Sequence, residues 1–231
     1  MAFLSDYSQY LLLATGHTIS TGALLYYGKK LGIQKKRDII YMSLLFLVVG
    51  FFSTVGFAGF ESAITGNFSW GMSSMGACLI GAPILLLVAK IMKLDSKSLM
   101  DLYALYAPAV FIFMRISCIT YGCCGGIVLF GHFRWPAREV EILFWILIGL
   151  LLFRIMKKPS ISGQLLPIIM MAYGAFRFVN EWLRTATVLP SGLHIAHIWS
   201  ILCCIIGCSI YFELRSKQYK PNQNRGRKHH A

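Results

Sequence analysis

Charge is scarce in this chain. Asp, Glu, Lys and Arg make up 13% of its 231 residues, and only nine are acidic. A soluble domain carries about 25% charged residues, so the scarcity excludes an ordinary water-solvated globule. A second absence is at the start. Residues Met1 to Tyr10 hold Asp6 but no Lys or Arg, so the positive region of a cleaved secretory signal is missing. The first apolar run is therefore expected to be a permanent helix. The seven cysteines form no CxxC pair and have no zinc-ligand spacing, so neither a metal nor a cofactor is expected. No internal repeat is apparent.

What the chain has is apolar length. Hydrophobic residues make up 57% of it. The apolar runs predict an all-α, polytopic membrane protein with seven transmembrane helices. The spans are Tyr7–Tyr27, Ile39–Phe60, Gly71–Lys90, Leu99–Tyr121, Glu139–Met156, Gln164–Leu183 and Leu193–Phe212. Each is near the ~20 residues a bilayer core requires. The transmembrane domain is expected over 1–214, with 215–231 as a basic, disordered cytoplasmic tail.

The net charge of +13 does not mark a nucleic-acid binder, because its distribution reads as topology. Seventeen of the 22 Lys and Arg fall in four segments: the links after the first, third and fifth spans, and the tail. Basic residues concentrate on the cytoplasmic side. The N-terminus is then outside, the C-terminus cytoplasmic, and the basic ends face anionic headgroups.

The other five basic residues are Arg115, Arg134, Arg138, Arg177 and Arg184, all arginine. They fall toward the outer half, with Glu139, Glu141 and Glu181. Arginine suits bidentate recognition of phosphate or carboxylate and stays charged when partly buried. Tyr173, Arg177, Glu181 and Arg184 lie at i, i+4, i+8 and i+11, on one helical face, beside Asn180. Charged groups at a membrane helix end point to function, and a lipid phosphate is the natural anion at that depth. Snorkelling anchors, or arginines paired with glutamates as structural glue, are the plainer readings.

Ala77 and Gly81 form a pair of small residues that lets helices approach, and Pro83 is a candidate kink. The fourth span ends in Tyr121-Gly122-Cys123-Cys124-Gly125-Gly126. These glycines fit either a plain turn or a close backbone approach to a ligand. Pro136 suits a helix start and Trp135 an interfacial belt. Cys203, Cys204 and Cys208 read as small buried hydrophobes. Cys118, Cys123 and Cys124 gather on the outer face, where disulfides can form.

From about Trp70 to Phe212 these features resemble the prolipoprotein diacylglyceryl transferase family. The best match is Tyr173-Gly-Ala-Phe-Arg177 followed by Glu181 and Arg184, similar to the family's YGxxR…E…R helix. Arg115 with Gly122 and Gly126 resembles its GR-x-GN-x-x-NGE-x-x-G segment. Pro136 to Glu141 resembles its P-[ST]-QLYE, and Met72-Ser73 with Gly76 resembles its MSFHGG. Leu193 to Ser200 sits where the family has LSMGQ-x-x-S. The resemblance implies transfer of a diacylglyceryl group from phosphatidylglycerol to the lipobox cysteine of a preprolipoprotein, in a multi-pass protein of the bacterial plasma membrane. It implies that Arg115 and Arg177 hold the headgroup, oriented by Glu141 and Glu181. Tyr173, Arg184, Arg138, Tyr121, Gly122 and Gly126 are further candidate substrate contacts.

The departures from the family pattern are specific. Its MSFHGG histidine is Met75, and the next glycine is Ala77. Its signature asparagines are Cys118 and Tyr121, and its glutamate is Cys123. Arg138 and His197 replace two glutamines. A base must then come from Glu141, Glu181, His132 or His197. Two other classes stay open: a non-catalytic lipid- or peptide-binding membrane protein of the same fold, and a membrane thiol oxidoreductase using Cys118, Cys123 and Cys124.

Overall fold

The computed structural model describes residues 2–31, 33, 35–66, 72–157, 161–185 and 192–227, with side chains from 8 to 217. Trp70, Gly71 at the expected start of the third span, Lys158, His229 and His230 lie outside the described residues. Among the described residues the chain is all-α apart from a small hairpin.

Its helices are α1 (Ala2–Tyr27), α2 (Lys36–Thr65), α3 (Ser74–Ile91), α4 (Ser96–Thr120), α5 (Ala137–Met156), α6 (Leu165–Glu181) and α7 (Ile195–Arg227). They match the seven apolar runs in order. The last one differs in length: the apolar run ends at Phe212, yet α7 continues to Arg227. By length and composition α2, α3, α4 and residues Ile195–Lys217 of α7 can cross a membrane. Helix α6 has 17 residues, a rise of roughly 25 Å. Helix α5 carries Arg138, Glu139, Glu141 and Arg154.

Local chemistry sets the boundaries. Asp95 accepts a hydrogen bond from the Ser98 amide at 3.0 Å and caps α4. Buried Asp101, on α4, accepts from the amides of Gly163 and Leu165 at 2.7 and 2.8 Å. A carboxylate thus satisfies orphan donors at the start of α6, where the helix dipole also favours it.

Helix α3 contains a wide π-turn at Ala77–Gly81 just before Pro83. The Ala77 carbonyl accepts twice, from the Ala82 amide across the wide turn and from the Tyr103 hydroxyl at 3.2 Å. A Cβ on Gly81 would sit 2.8 Å from that hydroxyl, so the small residue is what admits Tyr103. The closest helix pairing is α6 on α7. At Gly174 a Cβ would lie 2.6 Å from Cys204 Sγ and 2.7 Å from the Ser200 carbonyl.

The core clusters around Trp145, Tyr173, Phe46, Leu102 and Leu165. Outward-facing Leu11, Phe52, Leu87, Leu147, Ile198 and Ile205 are exposed, as expected of helices solvated by lipid. Alternating helix direction brings together the C-terminal ends of α2, α4 and α6 and the N-terminal ends of α3 and α7. The site lies there.

Candidate active site

At this end a cavity of about 320 Å³ is lined by Glu61, Ser62 and Thr65 of α2, Met72 to Met75, Arg115, Cys124, Arg177, Glu181, Arg184 and His194, among others. Five charged groups interlock along its wall. Glu141 is the hub, only 1% exposed. Its Oε1 lies 2.9 Å from Arg115 Nε and accepts from the Tyr173 hydroxyl at 3.0 Å, while its Oε2 lies 3.4 Å from Arg177 Nη1. Glu181 Oε2 lies 2.9 Å from Arg177 Nη2 in an ion pair and accepts from Arg184 Nη1 at 3.1 Å. Its Oε1 is 3.6 Å from His194 Nδ1.

The hydrogen bonds around Ser74 have a direction. Arg115 Nη2 donates to Ser74 Oγ at 3.2 Å. The Tyr173 proton is directed to Glu141, so Ser74 donates to the Tyr173 oxygen. Arg115, Ser74, Tyr173 and Glu141 therefore close a ring across α3, α4, α5 and α6. Buried ions require such satisfaction, because an unpaired one is strongly destabilising. Three arginines meet two glutamates in these ion pairs, and Glu61, which lines the cavity and faces Arg177 and Arg184, adds a third carboxyl.

Helix geometry delivers these groups. Tyr173, Arg177 and Glu181 descend one face of α6, and Arg184 follows in the turn after it. Asn180 ties α6 to the start of α5 by accepting from Trp135 Nε1 at 3.1 Å and donating to the Ala137 carbonyl at 3.2 Å. The loop after α4 then wraps the end of α6. Ile127 donates to the Leu183 carbonyl at 3.0 Å, Thr185 donates to the Gly125 carbonyl at 3.1 Å, and Gly126 bridges Arg184.

The structure thus brings together Arg115, Glu141, Tyr173, Arg177, Glu181 and Arg184. The other candidates lie elsewhere. Arg138 donates from Nη1 to the carbonyls of Cys118 and Cys123, each at 3.2 Å, closing off the C-terminal end of α4. Tyr121 is exposed, and Gly122 takes a left-handed turn at φ +67°. The amides of both donate back into the last turn of α4 rather than to an oxyanion. At Gly126 a Cβ would fall 2.1 Å from the Trp135 carbonyl, which accounts for that glycine by packing. His197 is fully buried behind the cavity, between Phe178 and Trp182, with Nδ1 3.1 Å from the His194 amide. His132 is exposed on the hairpin of β1 (Val128–Leu129) and β2 (Phe133–Arg134).

Glu61 and Ser74 are lining residues the sequence did not single out, and Ser73 and Cys124, noted there in other connections, line the cavity as well. Glu61 is hydrogen-bonded by the Ser73 side chain and faces Arg177, Glu181 and Arg184. A signal for it existed, since Glu61 is the sole charged residue between Asp38 and Lys90. The Cys118 hydrogen bond, with Arg184 and Arg115 nearby, holds the Cys124 thiol below the usual thiol range. Met75 fills the wall opposite α6, and its thioether cannot take a proton. Met72 and Thr54 line a second, apolar pocket with Leu13, Phe46, Tyr103 and Met114. Met72 also lines the charged cavity, so the two adjoin.

Two curated relatives bear on this arrangement. A protein of Campylobacter hominis named phosphatidylglycerol–prolipoprotein diacylglyceryl transferase is 31% identical over 171 residues, 67% of this chain and 61% of its own. One of the same name from Streptococcus uberis is 34% identical over 91 residues, 38% of this chain and 34% of its own. The matched segments thus span less than two thirds of either relative. The sequence model described as prolipoprotein diacylglyceryl transferase matches residues 9–213, which takes in every group of the charged cluster. By that match the chain belongs to the prolipoprotein diacylglyceryl transferase family.

Proposed function

We propose that this protein is a diacylglyceryl transferase-like membrane enzyme that moves a diacylglyceryl group from phosphatidylglycerol to a cysteine thiol of a lipoprotein precursor or related acceptor. The observation that carries this is the trio Arg115, Arg177 and Arg184, held by carboxylates at a cavity that adjoins an apolar pocket. The charged cavity suits a phosphodiester head, and the adjoining apolar pocket, at about 40 Å³, leaves the acyl chains to the surrounding bilayer.

In the reaction the acceptor sulfur attacks the glycerol carbon that bears the phosphate. A carbon–sulfur bond forms, the carbon–oxygen bond breaks, and glycerol-1-phosphate leaves. The developing phosphate charge is met by guanidinium groups already fixed by Glu141 and Glu181, so little reorganisation is needed. The thiol proton passes to a base. Glu61 is the candidate, because it faces the cavity and is not bound to an arginine among the described ion pairs. Glu141 and Glu181 are each held by two arginines, which suits them to positioning.

The topology supports the same reading. With seven spans, the N-terminus outside and the C-terminus cytoplasmic, as the basic residues suggest, the Lys-rich helix ends would lie inside and the cavity outside. A lipoprotein precursor emerging across a bacterial plasma membrane would meet it there, with phosphatidylglycerol entering from the bilayer.

Met75, where the family has histidine, favours a second reading: lipid or peptide binding without turnover. One experiment separates the two. Purified protein is incubated with labelled phosphatidylglycerol and a lipobox peptide. Release of glycerol phosphate with a lipidated peptide is expected. Binding of the lipid without release would replace transfer by binding for that acceptor.

A further inference from the structure

Three thiols meet beside the cavity. Cys118 stands near the end of α4, and Cys123 and Cys124 in the loop that follows. Their Sγ atoms all lie within 4.8 Å of one another, and all three thiols are free. Sulfurs bound to one ion at about 2.3 Å lie about 3.8–4.0 Å apart. Gathering these three around an ion thus requires shifts of about an ångström or less.

Backbone conformation creates this meeting. The chain leaves α4 through Gly122 at φ +67°, and Cys124 itself holds φ +58°. A left-handed backbone is uncommon for a residue with a side chain, and such strain collects at ligand sites. Arg138 grips the carbonyls of both Cys118 and Cys123 at 3.2 Å, which fixes the loop at two points. Arg115 Nη1 approaches Cys118 Sγ at 3.7 Å. Three thiolates on a divalent cation form a complex with one net negative charge, and these arginines offset it.

We propose that Cys118, Cys123 and Cys124 form a trithiolate site for a soft cation of the zinc(II) or copper(I) class. Thiolate donors select such ions. Cys124 lines the cavity, so the ion's remaining coordination position faces the charged cluster, where water or an anionic ligand can complete it. Occupancy also places a negative complex beside Arg115 and Arg184, in competition with a phosphate. The site is independent of the transferase reading.

The test uses the full chain in detergent, reduced with a phosphine and titrated with cadmium(II) alone. A thiolate-to-cadmium charge-transfer absorbance saturating at one equivalent is expected. Each of Cys118→Ser, Cys123→Ser and Cys124→Ser should weaken binding by more than about tenfold, since losing even an outer-shell partner costs about that much. Cys204→Ser and Cys208→Ser should leave binding unchanged. Thermal unfolding without metal establishes that each variant is folded. Absence of the band from the reduced, folded parent overturns the proposal. So does parent-like affinity in the three loop variants. The readout is absorbance, so failure of transfer activity leaves it intact.

Discussion

Glu61 illustrates what a single residue contributes. If it accepts the thiol proton, Glu61→Gln should lower turnover by about 10²- to 10⁴-fold, the usual contribution of a positioned base, while lipid binding persists. Unchanged turnover would move the base elsewhere. Arg177→Ala should lose at least about 10²-fold in activity, as for removal of one oxyanion donor, with loss of lipid binding in equilibrium assays. It also leaves Glu141 and Glu181 with one arginine fewer each, so its melting temperature should be measured alongside. Full activity in that variant would remove the central claim. The row Tyr173, Arg177 and Glu181 was legible in the sequence because helical periodicity aligns it, whereas Arg184, expected on the same helical face, joins Glu181 from the turn after α6. Glu61 was marked only as a lone charge just past Phe60, where the apolar run of the second span stops, and nothing in the spacing tied it to the arginines. The cysteine trio was visible only as residues on one face. No spacing rule foresees thiols five and six residues apart converging, because a left-handed residue between helix and loop does it.

At the scale of elements, two contacts set how helices seat. Asp101→Ala would leave the Gly163 and Leu165 amides without their acceptor. A hydrogen bond to a charged group contributes about 1.5–3 kcal/mol, so a clear fall in the detergent melting temperature is expected, and an unchanged value would count against the capping role. Gly174→Ala places a methyl 2.6 Å from Cys204 Sγ and should destabilise by about 1–3 kcal/mol through overpacking. Gly56→Ala, with open space around it, serves as the control. Apolar runs located all seven helices, since burial and lipid both demand such runs. They could not tell α6 from a longer span, because its polar lower face is paid for by Glu141 and the arginines around it. The π-turn in α3 left no mark beyond Pro83 nearby.

For the whole molecule, the distribution of basic residues makes a directional prediction. A reporter fused after residue 231 should be active in the cytoplasm, and one inserted at the exposed turn near Phe130 should report the outside. The reverse pattern would put the charged cavity on the cytoplasmic face and sink the proposed encounter with an exported precursor.

The wide turn at Ala77–Gly81 has a consequence for that cavity. A π-turn inserts one extra residue into an α-helix, and one residue corresponds to about 100° of rotation. Residues 74–76, which bring Ser74 to the Tyr173 hydroxyl and Met75 to the wall, are thus phased differently from residues 82–91, which pack into the bundle. The turn acts as a clutch between two segments of one helix. Deleting a residue at 79 or 80 would re-engage them, swinging Ser74 away from the arginine ring while the far segment stayed seated. Length, and not only side-chain identity, is under constraint in this helix.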